Sequence, residues 1–228
     1  MLKADLHLHT SEDPSHRDLR YNAKQLIGHA ARLGFDVLAI TNHEKLTYSN
    51  ALREFARKKG ILLIPGAELF IEGSDVLVYN ITKKDISRTR TFEDLRKLRK
   101  RKNMLVIAPH PFYVWRSLGK ELLKNAGLFD AVEYSHFYLE RMNRPNRRAA
   151  HFARMHGKPL VGTSDAHHLW RLNFTYTLVD SEKKISSVIS AVKRNRIRLV
   201  SKPLSLWIYI KVILWIISGT KKFINKQA

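Results

Sequence analysis

Short apolar runs alternate with helix-like segments along most of this chain, and that alternation limits the fold more than any other feature. Seven runs rich in β-branched and apolar residues are typical of strands. They are Ala4–His9, Val37–Thr41, Leu62–Glu68, Val76–Ile81, Leu105–His110, Ala131–Tyr134 and Leu160–Ser164. Helical patterns fill most of the gaps, and several end at a glycine, as at Gly34, Gly60 and Gly157. This order predicts an α/β fold with a mainly parallel sheet, open or closed into a barrel.

Most of the histidines and acids that could serve as ligands fall where one of these runs ends. The residues at run ends are His7, His9, His43, Glu68, His110, Asp165 and His167, and Asp75 directly precedes the fourth run. The carboxyl ends of parallel strands converge on one face, where α/β proteins build their sites. We therefore expect these residues to meet at one edge of the sheet, although they are far apart in sequence.

The first of these groups has the spacing of a metal ligand pair. His7 and His9 are two residues apart, so on a strand both rings point to the same side and can grip one ion. The 228 residues include no cysteine, which excludes disulfides, Cys-ligated zinc, iron–sulfur clusters and a thiol nucleophile. Any metal must therefore be held by imidazole and carboxylate groups.

Five short motifs in this order resemble those of the PHP (polymerase and histidinol phosphatase) superfamily. They are Asp5-Leu6-His7-Leu8-His9-Thr10, Thr41-Asn42-His43, Gly66-Ala67-Glu68, His110-Pro111 and Ser164-Asp165-Ala166-His167. The resemblance covers about residues 3–200. It implies a distorted (β/α)7 barrel that binds two or three divalent ions and hydrolyses phosphoesters.

The resemblance also implies three metal sites. The first would take His7, His9, Glu68 and Asp165. The second would share Glu68 and add His110 and Asp75, the last at a place where family members often have a histidine. The third would take His43, His167 and Asp13, with His16 as the alternative to Asp13. Among these residues we expect Glu68, Asp165 and His110 to act in catalysis.

Nitrogen and oxygen ligands suit Zn²⁺, Mn²⁺ or Fe²⁺, and the sequence does not choose among them. Two ions bridged by Glu68, about 3.5–4 Å apart, would generate hydroxide from bound water and hold the phosphoryl oxygens. The second motif departs from the family pattern, because Asn42 stands where an aspartate is usual. Asn42 cannot balance a cation, but it can hydrogen-bond a histidine ring or a substrate oxygen. The third site is therefore the weakest of the three.

The charge of the chain is strongly positive. The sequence has 41 Lys and Arg against 20 Asp and Glu, a formal net charge of +21. Eleven basic residues and no acid follow from Lys183 onward, and eight basic residues lie within Arg88–Lys102. Such surfaces indicate a polyanionic partner, which could be a nucleic acid, an anionic lipid or a phosphorylated small molecule. The alternative is an ordinary solvated face.

We predict two units in the chain, a metallophosphoesterase domain at 1–200 and a basic apolar segment at 201–228. Residues 204–217 are apolar except for Ser205 and Lys211. A helix of 14 residues is about 21 Å long, short of the roughly 30 Å hydrocarbon core. With Trp207 and the flanking lysines, residues 204–222 are expected to bind an anionic membrane surface, to pack on the domain or to form a dimer contact. The oligomeric state stays open.

Three functions fit these observations. The first is hydrolysis of a phosphate monoester or a nucleotide by metal-activated water, the second is an exonuclease acting on single-stranded nucleic acid, and the third is a non-catalytic metal-containing binding module. The nearly complete ligand set argues against the third. The first residues lack the apolar stretch of a signal peptide, so we expect a cytoplasmic protein, in part peripheral on the membrane.

Overall fold

A computed structural model of the chain describes residues 1–16, 18–101, 103–113 and 117–214. Within these residues nine strands form a single sheet. The strands are β1 (Leu2–Asp5), β2 (Val37–Ile40), β3 (Leu62–Ile71), β4 (Ser74–Tyr79), β5 (Leu105–Ala108), β6 (Ala131–Ser135), β7 (Leu160–Thr163), β8 (Thr175–Val179) and β9 (Ile197–Ser201). The helices are α1 (Ala23–Arg32), α2 (Asn50–Lys58), α3 (Lys83–Arg88), α4 (Phe92–Leu98), α5 (Gly119–Lys124), α6 (Arg144–Met155) and α7 (Ile185–Lys193). Residues 206–214 are also helical.

The sheet curls into a nearly closed barrel, as the resemblance implied. Its strand order is β7-β6-β5-β4-β3-β2-β1-β8-β9, so β7 stands at one end and β8 and β9 at the other. These ends meet at Gly162, whose backbone nitrogen donates to the hydroxyl of Thr177 and whose carbonyl accepts from it, both at 2.9 Å. One buried cluster joins residues from β1 through β8 to α7, and it forms the inside of the barrel. The expected distorted barrel is confirmed.

The sheet is parallel only in part. The pairs β1–β2, β2–β3, β5–β6 and β6–β7 are parallel, whereas β4 is antiparallel to β3 and β5, and β8 to β1 and β9. The link from β3 to β4 is a tight turn through Glu72 and Gly73, where both residues have positive φ. Because a parallel connection needs a long crossover, so short a link forces an antiparallel pair. Asp75, expected before the fourth strand, is therefore its second residue and lies opposite Phe70.

The first strand is shorter than predicted. We expected a strand from Ala4 to His9, but β1 ends at Asp5. Beyond it Leu8 forms a single parallel bridge with Ala166, and the backbone nitrogen of His9 donates to the Ala166 carbonyl at 3.3 Å. The Leu8 carbonyl also accepts from the Thr41 backbone nitrogen at 2.8 Å, so this segment lies between the residues that follow β2 and those that follow β7. The segment carries both histidines of the first motif across the carboxyl end of the barrel.

The C-terminal helical residues 206–214 pack with one face on the rim of the barrel. The backbone nitrogen of Leu204 donates to the Tyr138 carbonyl at 2.9 Å, and Val212 is buried. The ring of Tyr209 stacks on Phe137, with the ring centres 4.5 Å apart and the planes 12° apart. No helix among the described residues is long and apolar enough to cross a membrane. The rest of the predicted segment, from Trp215 onward, lies outside the described residues.

The closure of the barrel at Gly162 predicts a specific sensitivity. A methyl group there would lie 2.8 Å from the Tyr176 carbonyl oxygen and would collide with the Leu199 side chain. We expect Gly162→Ala to lower the free energy of unfolding by about 1–3 kcal/mol, as overpacking does. Gly28→Ala is the matched control, because nothing lies within 4 Å of its added methyl. On helix α1 that change should stabilise by about 1 kcal/mol. Urea denaturation of both variants decides, and equal stabilities would contradict this closure.

Candidate metal centre

The predicted ligands come from the segments that follow β1, β2, β5 and β7 and from the paired strands β3 and β4. His43, just after β2, forms a parallel bridge with Glu68 in β3, and the Glu68 backbone nitrogen donates to the Thr41 carbonyl at 3.2 Å. The nine predicted ligands all belong to clusters whose candidate ligand atoms lie within 4.8 Å of one another. These residues are His7, His9, Asp13, His43, Glu68, Asp75, His110, Asp165 and His167. Whether they bind an ion stays a prediction.

One oxygen of Glu68 is the centre of the cluster. The Nε2 atoms of His7 and His9 each lie 3.3 Å from Glu68 Oε2, and the Nε2 atom of His43 lies 3.2 Å from it. Asp165 Oδ1 lies 3.5 Å from His7 Nε2 and 3.2 Å from His9 Nε2. Two ligands about 2.0–2.2 Å from a tetrahedral ion are themselves roughly 3.3–3.6 Å apart. His7 and His9, whose Nε2 atoms lie 3.1 Å apart, therefore have the spacing of ligands around one ion both with Glu68 and with Asp165.

Carboxylates hold the opposite nitrogens of the same rings. Asp13 Oδ2 accepts from Nδ1 of His9 at 2.8 Å and from Nδ1 of His43 at 3.0 Å. His7 Nδ1 donates to Glu133 Oε2 at 3.2 Å. An Nδ1–H that donates to a carboxylate leaves the lone pair on Nε2, which is the tautomer that ligates a metal. The buried donor set of the first site thus fits a divalent cation.

Glu133 is a site residue that the sequence reasoning missed. It is fully buried in β6, where it also accepts from the His110 backbone nitrogen at 2.8 Å and from the Thr163 hydroxyl. It therefore ties the predicted ligands His7 and His110 to β7. The available signal was an acid within the apolar run of β6, because a buried charge requires partners.

The predicted second set of ligands is divided in the structure. His110 Nε2 lies 3.3 Å from Glu68 Oε1, and His110 also clusters with His7 and Asp165. Asp75, in contrast, clusters with Glu68 and His43. Glu68 faces His110 with Oε1 and His43 with Oε2, as a bridging carboxylate does. His110 and Asp165 have φ values of 26° and 42°, a strained conformation that is common at functional sites.

Both residues considered for the third set lie beside its histidines, since Asp13 clusters with His9 and His43, and the His16 ring lies near the rings of His43 and His167. The His16 ring centre lies 4.4 Å from that of His167 and 5.1 Å from that of His43. Asp13 Oδ2 already accepts from two rings and from the His43 backbone nitrogen at 3.0 Å. These contacts suit a residue that positions His9 and His43. Asp13 as the ligand of the third site, with His16 as the alternative, stays a prediction.

The hydrogen bonds of Asn42 go to two threonines and not to a histidine ring. Its Nδ2 group donates to the hydroxyls of Thr10 at 2.8 Å and Thr47 at 2.7 Å, and its Oδ1 accepts from the Thr10 backbone nitrogen at 2.9 Å. These bonds fix the end of the first motif, and none of them reaches a histidine ring. An ionised aspartate could not donate the two bonds to Thr10 and Thr47.

The electrostatics of the cluster are those of a site built for cations. Burial lowers the pKa of these rings, but at His9 and His110 the surrounding carboxylates more than offset it and raise the pKa to about 9. The pKa of His7 is also raised well above its ordinary value. At His167 burial prevails, and its pKa lies well below the ordinary value. Burial raises the pKa of Glu68 and Asp165, yet the neighbouring histidines hold both well below the usual range. Protons on His7, His9 and His110 would therefore compete with a metal cation for these rings.

Two further buried groups lie next to the cluster. His136 is only 2% exposed, and neither of its ring nitrogens has a hydrogen-bond partner among the described residues. Burial and the charge of Arg171 lower the pKa of His136 to about 3. Arg171 is 4% exposed and interacts electrostatically with Asp165. The sequence reasoning missed Arg171, whose only signal was its place four residues after His167.

Sequence comparison connects part of the chain with a known family. The family described as PHP-associated matches residues 143–197, which include α6, β7 and the residues that carry Asp165 and His167. No curated protein matches the chain significantly. The sequence evidence therefore comes from the last motif and its surroundings.

Solved structures share the fold over most of the chain. A two-domain protein of Bacteroides vulgatus with a predicted PHP-like metal-dependent phosphoesterase has 19% identity and a TM-score of 0.67. The similarity covers 88% of this chain and 64% of that protein, so the chain spans less than two thirds of it. PsfC from Pseudomonas syringae has 17% identity and a TM-score of 0.65, with coverage of 96% and 98%. A candidate metal-dependent phosphoesterase of Bifidobacterium adolescentis has 15% identity and a TM-score of 0.56, with coverage of 72% and 87%.

The raised histidine pKa values predict how metal binding depends on pH. An ion can bind only after it displaces the protons held by His7, His9 and His110. Because the pKa values of His9 and His110 are about 9, the affinity for Zn²⁺ or Mn²⁺ should rise as the pH is raised from 6 towards 9. Calorimetry in buffers of different ionisation enthalpy should also show protons released on binding. A pH-independent affinity without proton release would contradict this description of the cluster.

Proposed function

We propose that this chain is a metal-dependent phosphoesterase. The premise is membership of the PHP superfamily, which the family match and the shared fold support. The observation that carries the proposal is the convergence of three histidine Nε2 atoms on one buried oxygen of Glu68, with Asp165 completing the group. The cofactors would be two or three ions of zinc, manganese or iron, held by the nitrogen and oxygen donors of the cluster.

Each part of the cluster has a task in such a reaction. Ions bound here would supply hydroxide at neutral pH and neutralise the phosphoryl oxygens. Glu68 joins the ligand groups through its two oxygens, while Asp13 and Glu133 fix the ring orientations of His9, His43 and His7. Fixed donors need no reorganisation when the transition state forms, which is how a preorganised site lowers the barrier.

The substrate class we favour is a small phosphate monoester or a nucleotide. Arg171 adds a buried positive charge close to Asp165 at the edge of the cluster. A guanidinium can bind a phosphoryl group through two parallel hydrogen bonds. We therefore expect Arg171 to hold a substrate oxygen that does not contact an ion.

An exonuclease acting on single-stranded nucleic acid is the second candidate, and the net charge of +21 favours it. Ion pairs neutralise part of the basic segment, however. Four of its arginines contact acids, Arg90 with Glu44, Arg96 with Glu93, Arg99 with Asp130 and Arg101 with Asp85. Lys102 lies outside the described residues. These pairs leave fewer free charges for a nucleic-acid backbone than the sequence implied.

A non-catalytic binding module is the least supported candidate. A site that has lost its function has no need to keep two carboxylates that orient histidine rings, such as Asp13 and Glu133. Both are buried with the ligands, so they would cost stability unless the rings or an ion compensated their charge.

The proposal predicts chelator-sensitive hydrolysis. His9→Ala or Asp165→Asn should lower kcat/KM for a phosphate monoester by at least about 100-fold, because each removes a donor from the central group. His151→Ala is the matched control, since this histidine is exposed on α6, away from the cluster. Metal content, measured by mass spectrometry, should fall in the two site variants and not in the control. Full activity in a variant without metal would overturn the proposal.

The two substrate classes differ in their response to salt. If the chain binds single-stranded nucleic acid, log affinity should fall with log salt concentration by about 0.7 for each phosphate neutralised. Because several arginines are already paired, we expect a shallow slope that corresponds to few phosphates. Fluorescence anisotropy with a labelled oligonucleotide measures the slope, and parallel assays compare hydrolysis of that oligonucleotide with that of a monoester. A steep slope together with processive degradation would favour the exonuclease.

A further inference from the structure

The outer face of the helical residues 206–214 is apolar and open to solvent. Leu206, Trp207, Ile210 and Leu214 are 59%, 77%, 39% and 60% exposed. Apart from Trp170, the other large exposed apolar side chains of the described residues are spread singly over other parts of the chain. Residues 206, 210 and 214 follow a spacing of four, so they form one stripe along the helix, with Trp207 beside it. Scattered apolar residues are normal, but a contiguous stripe marks an interaction surface.

This stripe is not the face by which the helix packs on the barrel. The opposite face of the same helix is already packed, because Val212 is buried and Tyr209 stacks on Phe137. The helix is therefore apolar on two sides, and only one of them is covered by the residues that the structure describes. Something outside the described residues has to cover the other.

The charged residues that lie near the stripe in sequence are all basic. Lys211 follows Trp207 by one helical turn and is exposed, and Lys202 is exposed just before the helix. From Lys183 to the last residue the sequence contains eleven Lys and Arg and no acid. A groove between the helix and the barrel is lined by Lys211 and by Trp170, which is itself 45% exposed. Apolar side chains, tryptophans and lysines thus share one face.

We propose that this face, formed by Leu206, Trp207, Ile210, Lys211 and Leu214 with Trp170 beside it, docks on the surface of an anionic lipid bilayer. Tryptophan rings favour the interface between headgroups and acyl chains, and lysines are attracted to anionic headgroups. A helix with an apolar face and flanking lysines lies in the plane of that interface. A second copy of the chain fits less well, since a symmetric contact would bring the same lysines together.

The docking face is close to the metal centre along the chain. Trp170 follows the cluster residue His167 by three positions, and Phe137, against which the helix packs, is the second residue after β6. Docking would therefore hold the carboxyl edge of the barrel near the lipid surface. The inference goes beyond the proposed hydrolysis and does not depend on it.

Vesicle flotation with the full chain tests the inference. The chain should float with vesicles of phosphatidylcholine and phosphatidylglycerol and stay behind with phosphatidylcholine alone. Trp207→Ser and Lys211→Gln should each weaken binding to the anionic vesicles by about tenfold. The matched controls, Leu123→Ser on α5 and Lys58→Gln on α2, replace exposed residues elsewhere and should bind like the unmodified chain. Circular dichroism and metal content confirm that every variant is folded.

Three results would overturn the inference. One is failure of the full chain to float with anionic vesicles at low salt. Another is equal weakening by Trp207→Ser and its control Leu123→Ser. The third is a dimer in solution that Trp207→Ser converts to a monomer without any vesicle binding, which would make a second copy the occupant. None of these measurements uses a substrate, so an inactive chain could still support docking, and an active chain could still refute it.

Discussion

A single buried carboxylate oxygen organises this protein. Oε2 of Glu68 faces Nε2 of His7, His9 and His43 within 3.3 Å, and no stretch of the chain could assemble that group locally. Concentrating so many titratable groups away from water is costly unless protons or cations balance the carboxylates. The raised pKa values of His9 and His110 show how the bare protein achieves that balance, and a divalent ion would achieve it with fewer charges to order.

The barrel exists in this form because its strands must deliver these groups to one edge. The chain leaves β1 after Asp5 so that His7 and His9 can cross towards Ala166, and His43 is bridged directly to Glu68. Residues that bind no ion under any assignment keep the arrangement rigid. Asn42 fixes the end of the first motif, and Oε2 of Glu133 accepts from both the His7 ring and the His110 backbone nitrogen. A catalytic site of this kind depends on such supports as much as on its ligands.

The basic residues of the chain lie in two different environments. In the segment from Arg88 to Lys102 several arginines are paired with acids, among them Arg99 with Asp130 and Arg101 with Asp85. Near the C-terminus no acid follows Lys183 in sequence, and the lysines accompany an exposed apolar helix face. The same composition thus stabilises the fold in one place and forms a candidate interaction surface in another. A net charge cannot separate these uses, because it does not say which charges are neighbours.

The sequence by itself determined the α/β class, the strand order along the chain and the residues that gather at the strand ends. Those follow from local periodicity and from the rule that carboxyl ends of parallel strands converge. Tertiary structure alone decided which groups face each other. It turned Asp13 towards two rings, brought His16 beside His167, buried Glu133 behind His7 and divided Asp75 from His110. Side-chain partners across strands depend on register and loop path, which residue spacing within one segment does not encode.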